Sequence, residues 1–173
     1  EFLENCHLPL FPHVDGLYEA YWGTILDSIT PNPGLTECLA ELKKTGIRVG
    51  ISSNMTTSAQ YRKLIALGAA PYIDFIVTSQ EAGAEKPDPR FFAMCLAKAE
   101  AKPHECAVVG DDFQKDVLGA CSAGMHGIWY HPTKEDTKEE AKEMLPEQAA
   151  SETTYAKVNH FSQIRQAIAL FDR

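Results

Sequence analysis

Short apolar runs of strand type alternate with amphipathic helical stretches along most of this chain, and that alternation admits few folds. The strand runs are residues 47–52, 73–77, 106–109 and 127–130, with a last short one at 158–161. Between them the spacing predicts helices over 57–67, 89–100 and 114–123. Gly68 and Gly124 stop two of these, because glycine accepts the left-handed turn that ends a helix. A helix after each strand returns the chain to the same end of the sheet, so successive strands pair in parallel. The expected fold is α/β: a doubly wound, Rossmann-like parallel sheet with right-handed crossovers.

The flanks read differently. Residues 1–30 are helical and amphipathic, with Tyr18, Trp22, Ile25 and Ile29 at helical spacing and Leu17 and Tyr21 beside them. These aromatics are expected to pack into the core or between helices. Next, Asn32 is expected to cap a helix and Pro33 to open it, with Leu35, Leu39 and Leu42 on one apolar face and Gly46 at its end. Asp88 caps the helix that begins at Pro89. Residues 131–154 are rich in charge, with Lys134, Lys138 and Lys142 among acidic neighbours, and read as a solvated loop and surface helix. Ser162 is expected to cap a final helix reaching Phe171.

Charge and cysteine content narrow the function. With 16 basic and 24 acidic residues the net charge is −8, which argues against a nucleic-acid partner, since phosphate backbones need a basic face. Five cysteines without a CxxC pair argue against a disulfide framework or a zinc site. Cys95, Cys106 and Cys121 lie in apolar runs and are expected to be buried, reduced thiols, consistent with the cytoplasm. No apolar run approaches the ~20 residues of a membrane span, and no signal-peptide pattern opens the chain. The first residues, Glu1-Phe2-Leu3, lack an initiator methionine, leaving open whether this is a fragment or a processed chain.

In an open parallel sheet, ligands bind beyond the carboxyl ends of the strands. The residues found there are Ser53-Asn54, then Lys86-Pro87, then Gly110-Asp111-Asp112 with Asp116 close behind. Two carboxylates ~4 Å apart repel by about 4 kcal/mol at an effective dielectric near 20, so such a cluster needs a cation, a shared proton or splayed side chains. Hard oxygen donors without histidine or cysteine favour magnesium. Helix capping, with Asp112 as N-cap and Asp116 in the first turn, explains the same residues equally well. Pro87 pushes Lys86 into an extended loop. There it suits either a bound phosphate or an ordinary surface role. Ser53 and Asn54 suit phosphate oxygens or a simple strand-ending turn.

Taken together and in order, these stretches resemble the second, third and fourth motifs of the haloacid dehalogenase-like hydrolases, in the phosphatase branch. The resemblance rests on Val49-Gly50-Ile51-Ser52-Ser53-Asn54, on Glu85-Lys86-Pro87-Asp88-Pro89 and on Val108-Val109-Gly110-Asp111-Asp112-Phe113-Gln114-Lys115-Asp116, and it covers about residues 32–171. It implies that Ser53, supported by Asn54, binds the transferring phosphoryl group of a small phosphorylated substrate. It implies that Lys86 holds the nucleophile and the phosphoryl charge. Asp111 is then a magnesium ligand, and Asp116 ligates the metal or orients its water. Asp112 stands where many relatives carry a small residue.

The family's first motif is a strand followed by Asp-x-Asp, whose first aspartate attacks phosphorus. No such pattern occurs in the 52 residues before Ser53. Residues 1–30 are therefore expected to be the remnant of a helical cap, and residues 31–173 a hydrolase core lacking its first strand. The expectation is a chain inactive alone, restored by a missing N-terminal segment of the same protein. Two alternatives are a metal-independent 2-haloacid dehalogenase and a non-catalytic protein of the same fold. A signalling receiver domain uses similar groups but places its acidic pair first and its lysine last, the reverse of the order here.

Overall fold

A computed structural model of the chain describes residues 5–7, 13–132, 147–148 and 154–171. Helix α1 (His13–Ser28) is followed by α2 (Leu35–Lys44), β1 (Gly50–Ser53), α3 (Thr57–Ala66), β2 (Phe75–Thr78) and α4 (Pro89–Ala99). Then come β3 (Ala107–Gly110), a π-helical stretch Phe113–Leu118, an α-turn Gly119–Ser122, and β4 (His126–Tyr130). The chain closes with β5 (Glu147–Gln148), β6 (Thr154–Val158) and α5 (Ile164–Ala169).

Several local predictions hold for the expected reasons. After α2, Gly46 takes φ 77°, its N–H donates to the Lys43 carbonyl and Ile47 N–H donates to the Leu42 carbonyl. That is the double bond of a left-handed helix terminus. Gly68 ends α3 the same way. Asp88 caps α4, its carboxylate accepting from Arg90 N–H at 2.8 Å. The paired Arg90 side chain holds the Asp88 carboxyl down to about 2.

Others are corrected. Asn32 does not cap α2: Gly34 does, at φ 80°, and a Cβ there would lie 2.8 Å from the His160 ring. The helix predicted from residue 114 starts as a π-helix, because Asp112 caps it while Asp116 turns inward. The last strand is Thr154–Val158, not 158–161, and Ser162 caps nothing: His160 Nδ1 accepts from Ser162 N–H. The charged stretch 131–154 lies largely outside the described residues, apart from β5. The aromatics of α1, expected in the core or between helices, lie outside the core: Trp22 is half-buried against Tyr18 and Tyr21 on a helix that packs on α3, so only the core placement is corrected. Tyr18 and Tyr21 are 45% and 62% exposed, and α1 contacts chiefly α3. Cys106 is half-buried, whereas Cys38, Cys95 and Cys121 are buried.

Helices lie on both faces of the strands. On one face α2 and α5 pack Cys38, Leu42, Ile164 and Ala167 against Ile128, Ala156 and Val158. On the other, α4 inserts Phe91 and Phe92, both fully buried, against Val77 and Val108. Burying one such side chain contributes about 1.5–3 kcal/mol. Among the described residues no helix is long and apolar enough to cross a membrane.

The sheet itself is split. β1 pairs in parallel with β2, Ile51 opposite Ile76. β3, β4 and β6 form a second parallel set, Val109 opposite Ile128, with β5 antiparallel at its edge. Among the described residues, β1 and β3 do not pair with each other. Between them runs a slot of about 1130 Å³, lined lengthwise by Val49 to Ser52 on one side and Ala107 to Asp111 on the other. Its roof and floor are apolar, with Leu39 and Leu42 above and Phe75 and Cys95 below. Burial pushes the thiols of Cys38 and Cys95, which also line it, up to about 11, so both stay neutral. Small-molecule sites occupy about 300–1,000 Å³, so the slot is at or above the upper end of that range.

Candidate active site

Lys86 bridges the carboxyl end of β1 to the helical segment that follows β3. Its Nζ donates to the Ser52 carbonyl at 3.0 Å and to Asp116 Oδ1 at 2.6 Å. Both side chains are nearly buried, Lys86 11% and Asp116 8% exposed. The ammonium also lies 5.8 Å from the Phe91 ring centroid. A lysine held this way is a fixed positive charge at the mouth of the slot.

Asn54 supplies the anchor. Its Oδ1 accepts from Lys86 N–H at 2.9 Å and its Nδ2 donates to the Lys86 carbonyl at 3.3 Å. The side chain expected to support a phosphoryl group thus clamps the lysine backbone from both sides. The Ser53 hydroxyl makes no hydrogen bond among the described residues and stands half-buried at the end of β1.

The three aspartates after β3 divide their roles. Asp112 is the N-cap: its Oδ1 accepts from Lys115 N–H at 2.9 Å, and that amide holds its carboxyl below the usual carboxylate range. Asp116 turns inward to Lys86, and its Oδ2 accepts from Asp112 N–H at 3.2 Å. Asp111 is exposed, with its carbonyl accepting from Trp129 Nε1 at 3.1 Å. Of the residues expected from sequence order, the fold joins Lys86 to Asp116, and it leaves Asp111 exposed in the loop that follows β3. Sequence order did not identify Trp129 or the Ser52 carbonyl, which reach the site only through strand register.

Gly110 explains how Asp116 fits. A Cβ at that position would lie 2.3 Å from Asp116 Cγ and Oδ2. The carboxylate therefore packs directly on the glycine backbone. G110A must displace Asp116 from Lys86, and crowding of this kind costs about 1–3 kcal/mol. Chemical denaturation of G110A is expected to show that loss; an unchanged midpoint would mean Asp116 is housed equally well elsewhere.

Asp111 and Asp116 offer oxygen donors alone, the chemistry magnesium prefers, and magnesium is commonly held by one or two carboxylates plus water and substrate phosphate. The donor set fits that ion. Both Asp116 oxygens already accept protein hydrogen bonds, whereas the exposed Asp111 carries the more open carboxylate. Among the described residues no group of three or more acidic, histidine or cysteine side chains clusters as a self-sufficient metal site.

Residues 7–124 match a family described as a haloacid dehalogenase-like hydrolase. A ribulose-1,5-bisphosphate 5-phosphatase from Halopiger xanaduensis is 36% identical over 135 residues, 78% of this chain and 56% of that protein. A glyceraldehyde 3-phosphate phosphatase from Methanothermobacter thermautotrophicus is 43% identical over 100 residues, 58% of this chain and 44% of that protein. The chain spans about half the length of the curated relatives it matches. A haloacid dehalogenase-type phosphatase from Thermococcus onnurineus shares the fold at TM-score 0.72 and 24% identity, over 95% of this chain and 67% of that one.

Proposed function

Because the chain belongs to the haloacid dehalogenase-like hydrolases, we propose that it is the greater part of the core of a magnesium-dependent phosphatase for small phosphorylated metabolites. The observation that carries this reading is the buried Lys86–Asp116 pair at the mouth of the slot, beside the open carboxylate of Asp111. Phosphatase relatives such as those named above support the substrate class.

In this reading the slot between β1 and β3 receives one further strand, parallel to both, from a segment N-terminal to the described core. Its carboxyl end lies beside Lys86, where an aspartate is presented as the nucleophile. The carboxylate oxygen attacks phosphorus as the ester P–O bond breaks, and the alcohol leaves with a proton given by the second aspartate of the same Asp-x-Asp segment, which regains one from the water that attacks next. Water then attacks the phosphorus of the aspartyl-phosphate, returning free carboxylate and phosphate. Lys86 balances negative charge throughout. Ser53 offers its hydroxyl to a phosphoryl oxygen, and Asn54 keeps Lys86 in place. Bound magnesium, held by Asp111 with Asp116 behind it, would neutralise the phosphoryl oxygens. Helix α1 serves as the end of a cap over this mouth. The setting is a reducing cytoplasm.

The test is hydrolysis of p-nitrophenyl phosphate and of a panel of phosphorylated sugars and acids by the strand-complete protein, with and without chelator. Magnesium-dependent release of phosphate, lost in D111N, is expected. Dehalogenation of a 2-haloacid that survives chelation would assign the dehalogenase reaction instead. Absence of any turnover in the strand-complete protein would leave a binding role.

A further inference from the structure

Trp129 lies at the carboxyl end of β4, directly opposite Gly110 of β3. Its ring is packed on several sides. Phe113 lies 5.0 Å from it, centroid to centroid, and Tyr155 lies 5.2 Å from Phe113. His131 stands 4.5 Å from the indole, and Lys157 Nζ sits 4.9 Å from its centroid. An aromatic cluster of this kind explains stable packing at the end of a sheet and nothing more. The indole N–H is what goes further, because it donates to the Asp111 carbonyl at 3.1 Å.

That carbonyl and the Asp112 N–H belong to one peptide unit, which is planar. Trp129 holds its oxygen, and Asp116 Oδ2 holds its N–H at 3.2 Å. The plane joining the first two aspartates is thereby pinned from both sides. Pinning it restricts ψ of Asp111 and so the direction in which the Asp111 side chain leaves the backbone. Asp112 has its own anchor in Lys115 N–H, and Asp116 has Lys86. Asp111, whose side chain is left open to solvent, depends on the indole.

We infer that Trp129 is a positioning residue that aims the Asp111 carboxylate at the metal position. The inference rests on the reading of Asp111 as a magnesium ligand. The discriminating variant is W129F, which keeps a six-membered aromatic ring in the cluster and removes the donor together with the pyrrole half of the indole. Magnesium chloride is titrated calorimetrically into the strand-complete parent and its W129F variant, and amide exchange is followed across residues 110–116.

The expected result is magnesium binding weakened roughly 2- to 10-fold, the range one neutral hydrogen bond controls. The Asp112 amide should exchange faster, with little change in melting temperature. If the wild-type protein binds magnesium and W129F binds it equally, the inference is overturned, since packing alone would then explain the cluster. If neither protein binds magnesium, the metal reading of Asp111 fails by itself. In that case unchanged exchange at Asp112 in W129F would overturn the positioning role, and faster exchange would uphold it.

Discussion

Supplying one parallel strand to the slot between β1 and β3 is expected to give the chain magnesium-dependent phosphatase activity and to raise its melting temperature. The slot presents two strand edges that are unpaired among the described residues, with apolar side chains above and below. A central parallel strand is buried on both faces and reads as a run of apolar residues. Five such side chains contribute about 7–15 kcal/mol of gross burial at ~1.5–3 kcal/mol each. Ordering the same residues costs about 1–2 kcal/mol apiece in backbone entropy, offsetting most of it. A separate peptide is therefore expected to bind weakly, in the micromolar to millimolar range. The same segment tethered in one chain meets an effective concentration near millimolar, so it docks about half the time at the weak end of that range and almost completely at the micromolar end.

The matching control is the chain without that strand. Its open edges favour association with other chains, so activity should be read at low protein concentration. It is expected to release no phosphate from p-nitrophenyl phosphate. Turnover by residues 1–173 alone, abolished by chelator and by K86M, would show that the nucleophile lies within them and that the slot serves another purpose.

K86M is the second large effect. Lys86 and Asp116 are both nearly buried, so removing the ammonium strands a carboxylate in an apolar setting. Breaking a buried pair from one side costs about 3–5 kcal/mol. For a domain of this size that corresponds to a fall in melting temperature of roughly 6–20 °C, at about 2–4 °C per kcal/mol. A double variant, K86M with D116L, leaves no unpaired charge and should recover much of the loss. K86R should not restore function, because a planar guanidinium cannot place the three donors of an ammonium in the same space. Thermal unfolding of the parent, K86M, K86R and the double variant measures these differences. Equal stability of K86M and the parent would mean that Asp116 finds another partner or takes up a proton.

Much of the fold was legible because its causes are local. Gly46 and Gly68 stop helices through their left-handed backbone, and Asp88 caps one through its own carboxylate. Where the cause is distant, local reading failed. Gly34 replaces Asn32 at a helix start because the chain there turns against His160. The last strand is displaced because Thr154–Val158 pairs with β4, which no local signal announces. Tyr18 and Tyr21 have the spacing of a buried face but remain exposed, since spacing says which residues share a face and not whether anything covers it.

The site divides along the same line. Residue types and their order, Ser53 before Lys86 before Asp111 and Asp116, are properties of the chain and of the loop that leaves each strand. Alone they left helix caps and surface roles open, and it was their resemblance to a hydrolase family that implied phosphoryl chemistry on a parallel sheet. Which atoms meet is a matter of register between segments some thirty residues apart. Only the tertiary structure showed Asn54 clamping the Lys86 backbone, Asp116 resting on Gly110, and Trp129 reaching the Asp111 carbonyl. The slot belongs to that second class as well. Alternation of strands and helices establishes that the strands run parallel, but it is blind to which neighbours they take. That β1 and β3 leave room between them is decided by how their helices pack, a balance struck across the whole molecule.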